Sequence, residues 1–289
     1  MKVSAFTFIR NGEILGYPYI ASIKSVLPLV DEFVINVGPS EDDTLKNIQA
    51  IGSDKIRIIE SPWNENMQVS GYVYGQQKMI AQYSTTGDWA FYIEGDEVIH
   101  ENDIPKIHSA MEKYLHDDRV EALTFDYLHF YGNKNTYIWS PSFYRREARI
   151  IKNSIRSYAP DGLFWVVLKS NKKGRYPYAA HTGATMYHYG WVRSEEQHNL
   201  KVKKVSKYWN STATQNKIDY TQADAKTFKL FTGSHPKAIQ SWLPVADALQ
   251  KSDPNYQLTK KDKRNRLLLK LEDIFGWELS KKHFFPIKF

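Results

Sequence analysis

Three acids fall within four positions at the end of an apolar run. Trp89-Ala90-Phe91-Tyr92-Ile93 leads straight into Glu94, Asp96 and Glu97, with Gly95 between them. Carboxylates packed at a strand end are costly unless positive charge meets them there. Hard oxygen ligands of this kind suit Mg2+ or Mn2+ carrying a diphosphate, whose own oxygens complete the shell. The same residues also fit a plainer role, a solvated acidic turn that caps the helix after it. No cysteine is present, which removes disulfides, thiolate zinc sites and cysteine nucleophiles. The phosphate-binding P-loop, the G-x-G-x-x-G turn and H-E-x-x-H are absent from the sequence as well.

The elements that must position this turn are legible in the first half of the chain. Residues 3–9 (VSAFTFI) and Phe33–Val37 read as strands, the second ended by Gly38-Pro39. Pro18 opens a helix whose face is Ile20, Ile23, Leu27 and Val30. Ser40, with Asp43 three residues on, reads as the cap of a second helix bearing Leu45, Ile48 and Ile51. Lys55–Ile59 is a third strand, a helix covers Gly75–Tyr83, and Trp89–Ile93 is the strand before the acids. Ile104, Ile107 and Met111 stripe a further helix, and Val120–Phe125 is a fifth strand. Such alternation predicts an α/β fold, a mainly parallel sheet with helices on both faces and ligands at the carboxyl ends of the strands.

Beyond residue 126 the pattern is less regular. Leu163–Leu168 and Ala179–Tyr189 read as strands, and a lysine-rich helix runs from Ser194 to about Trp209. Asn210-Ser211-Thr212 has the form of a glycosylation acceptor, a weak signal alone. The chain of 289 residues, 42% hydrophobic and 25% charged, has the profile of a soluble globular protein with no spanning segment, and its first residues do not read as a signal peptide.

In order along the chain, several segments together resemble family-2 type nucleotide-sugar glycosyltransferases of the GT-A (Rossmann-like) fold. Phe8-Ile9-Arg10-Asn11 is similar to their first strand end, and Asp31–Val37 followed by Ser40-Glu41-Asp42-Asp43-Thr44 to their second strand and S-x-D-x-T loop. Gln77-Lys78 before Thr86-Gly87-Asp88-Trp89 resembles the helix and G-D-W lead-in to their DXD turn. His188-Tyr189-Gly190-Trp191-Val192-Arg193 resembles a late H-Y-G-W-V-[RK] motif of a bacterial subgroup. The likeness covers roughly residues 3–205.

On that resemblance Asp96 is the main metal or diphosphate ligand, Glu94 takes the place of the first DXD acid, and Glu97 orients the sugar or ribose. Asp42 accepts from the base or ribose, Thr7 and Arg10 line the base pocket, and Lys78 neutralises phosphate; an exposed helix lysine is its plainer role. His188 is the late metal ligand, otherwise a half-buried strand histidine. Arg193 and Lys201 clamp the departing diphosphate, although Lys201 is one of four lysines in 201–207 and also reads as a wet helix face. An inverting transfer needs a carboxylate base. Asp161 of Pro160-Asp161-Gly162 leads, with Glu147, Asp126, Glu195 and Glu196 behind it; Pro-Asp-Gly is equally a turn sequence.

The charge balance is 39 Lys+Arg against 32 Asp+Glu, a net +7. Nine of those cations and only four acids lie between Asn255 and Phe289, so the basicity belongs to the tail. There Leu267–Leu269, Leu271, Ile274 and Phe275 alternate with Lys263, Arg264, Arg266 and Lys270, and Trp277 follows. Such a helix either packs its leucines on the domain or rests on an anionic leaflet. The expected organisation is a catalytic domain over 1–210 and a helical, basic extension over 211–289. The expected function is a cytoplasmic glycosyltransferase, at most peripheral to the inner face of the membrane. It takes a nucleotide-sugar donor and Mn2+ or Mg2+, acts on a glycan or lipid-linked acceptor and has no nucleic-acid partner. A nucleotidyltransferase and a non-catalytic glycan- or nucleic-acid-binding protein are the competing classes.

Overall fold

The first strand, β1 (Val3–Ile9), has the bounds its apolar run predicts and lies at the middle of the sheet. Its residues alternate between two cores, as a strand buried on both faces requires. Val3, Ala5 and Ile9 pack with Tyr19, Ile23 and Val26 of helix α1 (Tyr19–Val26) and with Ile107 and Met111 of α4 (Ile104–Tyr114). Phe6 points the other way, into Ala81, Tyr92 and Trp165. The computed structural model describes residues 1–209, 217–245 and 249–287.

β1 pairs in parallel with β2 (Glu32–Val37) on one side and with β4 (Trp89–Tyr92) on the other; β3 (Ile56–Glu60) adds in parallel beyond β2. Past β4 the order continues through β8 (Arg146–Lys152), antiparallel to both neighbours, to β6 (Ala122–Tyr131). The 14-residue β12 (Tyr178–Trp191) runs parallel to β6 and carries β5 (Glu97–Ile99) antiparallel on it. β7 (Thr136–Ile138) extends the far edge, and β9 (Ser157–Tyr158), β10 (Val166–Ser170) and β11 (Lys173–Arg175) form a small separate sheet. The fold class is therefore the expected one, a mainly parallel sheet flanked by helices.

Three local expectations are corrected. α2 (Thr44–Gln49) has no side-chain cap; Ser40 is occupied elsewhere, its oxygen accepting from Asn11 N and its hydroxyl donating to Gly38 O. α3 (Tyr72–Tyr83) starts three residues before Gly75. Gly75 serves close approach: a Cβ there would stand 2.5 Å from Ala159 O, so the helix lies directly against the 159–162 turn. The strand expected at Leu163–Leu168 begins only at Val166.

Ser194 caps α5 (Glu195–Val205) in a reciprocal capping box with Gln197, as its position predicts. The boundary at 210 and the Asn210-Ser211-Thr212 triplet lie outside the described residues. The segment after it joins the sheet: β13 (Phe228–Leu230) pairs β7, and β14 (Phe285–Pro286) pairs the start of β12. Helix α6 (Lys260–Phe275) docks on the domain through a face on which Asn265 and Glu272 are buried and Leu268, Leu269 and Leu271 are half-buried. Glu272 grips Arg145 through both oxygens at 2.6 and 2.7 Å, Asn265 pairs Ser142, and Arg266 pairs Asp224. Leu267, Ile274, Phe275 and Trp277 are left 53–60% exposed. Among the described residues no helix is long and apolar enough to cross a membrane.

Candidate active site

The carboxyl ends of β1 and β4 and the helix α5 converge on a cavity of about 740 Å3, with the end of β12 behind its Asp96. At its floor β4 stops at Tyr92, and the acidic turn points its three side chains in different directions. Glu97 goes inward. It is fully buried, receives the Tyr127 hydroxyl at 2.8 Å and Arg149 Nη2 at 2.8 Å, and accepts from Glu94 N. Glu97 is thus committed to Tyr127 and Arg149 and is not among the residues that line the cavity, where a sugar-orienting or catalytic role would place it. Glu94 lines the cavity, 26% exposed, with Arg149 Nη2 at 2.9 Å. Burial and the Glu97 carboxylate raise its pKa, against the pull of Arg149.

Asp96 sits at the meeting point of charge. Lys201 Nζ of α5 donates to it at 3.1 Å, His188 Nε2 of β12 stands 3.6 Å away and Arg193 Nη2 3.8 Å. Burial alone would raise its pKa, but Lys201, His188 and Arg193 overcome that and hold it well below the usual carboxylate range. Arg193 also donates to Leu15 O, while its Nε and Nη2 are buried without a hydrogen-bond partner. Two donors fixed beside an aspartate and left unpaired are suited to an anionic ligand.

Glu94, Asp96 and His188 each offer a ligand atom, and these atoms lie within 4.8 Å of one another. Two carboxylates and an imidazole are a donor set for Mn2+ or Mg2+. The space between them is kept open by Gly190: a Cβ there would lie 2.7 Å from His188 Nε2 and 2.9 Å from Asp96 Oδ2. The residues present thus fit a divalent cation. Behind His188, its Nδ1 meets His129 Nδ1 at 3.0 Å, and His129 Nε2 meets Tyr144 O at 2.7 Å. Burial, with His188 beside it, pushes the His129 pKa down to about 3.

The cavity's other end is aromatic. Trp63 and Tyr74 meet edge to face at 5.5 Å, and Tyr208 packs against both. Arg10 lies over the Trp63 ring and pairs with Glu65, so its assignment to this end agrees with the geometry. Thr7 does not line the cavity: it is buried on the α1 side of β1, while its neighbour Phe8 faces the cavity. Asp42 is also corrected. Its carboxylate accepts from Ile14 N and Thr44 N, pinning the 11–16 loop, and it is Glu41 that lines the wall.

Lys78 departs furthest from expectation. It is 0% exposed, with its ammonium 4.0 Å from the ring centroids of both Tyr92 and Trp165, and it donates to Gly162 O and Leu163 O at 3.3 and 3.2 Å. Burial and then the Arg149 charge push its pKa down to about 7. It ties the 162–163 turn to helix α3 and is not among the residues that line the cavity. Of the proposed bases, Asp161 sits next to the lining residue Gly162 and accepts from Leu163 N at 2.8 Å, whereas Glu147 is fully buried against His283. Asp126 pairs with Arg146 and His181, and Glu195 accepts from Tyr220 N.

Sequence reasoning did not find Arg149, His129, Trp63, Tyr74 or Tyr208. Each has at least one partner more than 10 residues away and sits in a segment with no motif; Gly190 alone lay inside a stretch already singled out.

No protein-family profile and no curated protein matches the chain. Solved structures do. Residues 1–349 of S. aureus TarS share 15% identity at a TM-score of 0.35, over 53% of this chain and 48% of that one. A second TarS structure, in complex with UDP-GlcNAc, gives 12% and 0.35 over 53% and 46%. Glucosyl-3-phosphoglycerate synthase from Mycobacterium tuberculosis, in complex with Mn2+, UDP and phosphoglyceric acid, gives 20% and 0.32 over 44% and 43%. The match spans less than half the length of each of these chains.

Proposed function

We propose that this chain is a GT-A type glycosyltransferase that moves a sugar from a nucleotide-sugar donor to a glycan or lipid-linked acceptor. One observation carries the reading: a single cavity joins an aromatic shelf with an arginine to Glu94, Asp96 and Lys201, and behind Asp96 stand the His188 imidazole and Arg193. The shelf of Trp63, Tyr74 and Tyr208 offers ring faces and edges to a nucleobase. Lys201 and Arg193 offer charge and unpaired donors to a diphosphate. Glu94, Asp96 and His188 would hold the divalent cation, which when bound supplies Lewis-acid stabilisation to a leaving diphosphate.

The reaction that suits this arrangement is direct displacement at the anomeric carbon with inversion. As the bond to the nucleoside diphosphate breaks, negative charge grows on the leaving oxygen, and the fixed cations of Lys201 and Arg193 oppose it without reorganising. Asp96 keeps both cations aimed at that point. A nucleotidyltransferase would release pyrophosphate instead, and that product separates the two classes.

A thermal-shift panel of UDP-, GDP-, CMP- and dTDP-sugars, with and without Mn2+, tests the donor reading, because a bound donor stabilises the fold by mass action. At least one donor is expected to raise the melting temperature more with Mn2+ than without, and Asp96→Ala is expected to remove that shift and turnover while remaining folded. No shift with any donor would overturn the reading.

The acceptor reading extends to a membrane surface. The outward side of α6 carries Leu267, Ile274, Phe275 and then Trp277, all more than half exposed, among the exposed Lys263 and Lys270. Apolar side chains interleaved with lysines complement an anionic leaflet. Co-sedimentation is expected with vesicles containing phosphatidylglycerol but not with phosphatidylcholine alone, and Ile274→Glu with Trp277→Glu should abolish it. Equal binding to both vesicles, or to neither, would remove the membrane from the proposal.

A further inference from the structure

His129 stands behind the proposed cation site, touches no part of the cavity wall, and yet has all of its polar capacity committed. Its ring is 2% exposed and held on three sides: Tyr127 stacks on it at 5.2 Å, Tyr144 meets it edge to face at 4.8 Å, and Phe143 lies at 5.4 Å. Its two nitrogens meet a backbone carbonyl and another imidazole. These contacts restrict where protons can be.

A carbonyl oxygen only accepts, so the 2.7 Å contact with Tyr144 O requires the hydrogen on His129 Nε2. Neither contact of the ring is an anion, and a buried imidazolium without one is costly, so the ring is neutral. Its Nδ1 is then a bare acceptor. The 3.0 Å contact between the two Nδ1 atoms needs one hydrogen, which His188 Nδ1 must supply. A neutral His188 with its hydrogen on Nδ1 has a lone pair on Nε2, the atom that faces Asp96 and the opening left by Gly190.

We propose that the Tyr144 carbonyl and His129 form a relay that fixes the tautomer and ring orientation of His188, presenting bare Nε2 as a ready-made ligand for a divalent cation. His129 is a positioning residue and acts only through His188. The inference rests on the metal reading above for its purpose, but the tautomer is a property of the protein alone. Outer-sphere partners of ligating histidines commonly govern metal affinity by roughly 10–100-fold.

Two experiments test it, using the full chain. Long-range 1H–15N correlation spectra of the metal-free protein at neutral pH, assigned with His188→Gln and His129→Asn, report each ring nitrogen as protonated or bare. Expected are a protonated Nδ1 and a bare Nε2 on His188, with the reverse on His129. A bare Nδ1 on His188 overturns the relay whether or not any metal binds.

The second measures Mn2+ affinity through the electron paramagnetic resonance signal of free Mn2+. His129→Phe keeps the ring and removes the acceptor; it is expected to weaken Mn2+ binding about 10–100-fold. His129→Asn, which puts a carbonyl oxygen near the Nδ1 position, is expected to recover most of that loss. Metal-free thermal melts of both variants check that they are folded. Unchanged affinity in a folded His129→Phe overturns the relay. Absence of Mn2+ binding by the wild-type chain instead overturns the metal reading and the relay's purpose together, while the spectra still decide the tautomer.

Discussion

Gly190 shows how little separates an open site from a closed one. The Cβ of an alanine there would stand 2.6 Å from His188 Cε1 and 2.9 Å from Asp96 Oδ2, between the two groups expected to share a cation. Gly190→Ala is therefore expected to lower Mn2+ affinity and donor turnover at least tenfold while the melting temperature of the metal-free protein changes little; isothermal titration with Mn2+ measures it. Lys78 gives a second test at this scale. Its ordinary value is 10.5 and burial lowers it to about 7, so between those pH values the unfolded chain holds more protons than the folded one. The folded state must then gain stability as pH rises through that window. The melting temperature of the wild type, relative to Lys78→Met, is expected to climb between pH 7 and 9.5, and a flat difference would mean that the Tyr92 and Trp165 rings keep the ammonium charged. Asp96 was legible because three acids at a strand end are visible in one dimension, whereas Lys201 and Arg193 were reached only through the resemblance. Arg149 was not legible: the carboxylates that the sequence left without a counter-charge are met by an arginine more than 50 residues on, in a strand with charges of both signs that does not single it out.

Among the elements, β1, β2, β4 and α4 follow from periodicity, since burial on one or both faces leaves a regular mark. Caps and turns were harder, because Ser40 has several backbone groups in reach and the chosen one, Asn11 N, belongs to a distant loop. The lysines of α5 are the instructive case. As a sequence they read as a wet face, yet the helix and the turn after it strap the cavity through Lys201–Asp96, Lys204–Glu41 and Lys207–Glu65 at 3.1, 3.3 and 2.7 Å. Glu65 also receives Arg10 and the Tyr208 hydroxyl. Burial acts to raise its pKa, and the hydrogen bonds from Lys207, Arg10 and Tyr208 outweigh it, holding the value at about 2. Its contribution is present above its ordinary 4.5 and fades as pH falls toward 2. The pairs at Glu41 and Glu65 are partly exposed, so salt should loosen them. Glu65→Ala is expected to speed hydrogen exchange across residues 200–209 and to raise the donor KM several-fold with a smaller change in kcat. Unchanged exchange there would mean that aromatic packing alone holds the strap.

At the scale of the whole molecule, the tail carries most of the net charge, and the structure makes it part of the sheet as well. β14 pairs β12, and α6 is fixed by polar pairs set among the half-buried Leu268, Leu269 and Leu271. No hydrophobic pattern could have announced this, because the docking side chains, Asn265, Arg266 and Glu272, look like solvent-facing residues until their partners are known. The consequence for stability is specific. Arg145 and Glu272 are 5% and 7% exposed at the side chain, and Arg145 also lies over the Trp139 ring at 4.4 Å. Removing one member of such a pair leaves the other charge buried without compensation, at a cost of about 3–5 kcal/mol. Leu267, at 58% exposure, has little to lose, and surface substitutions of that kind change stability by about 0.5 kcal/mol or less. Urea unfolding is thus expected to show Glu272→Ala strongly destabilised and Leu267→Ala near wild type. A helix turned with Leu267 against the domain would give the opposite ranking. Only the expected order leaves the apolar face of α6 free to meet a surface outside the protein.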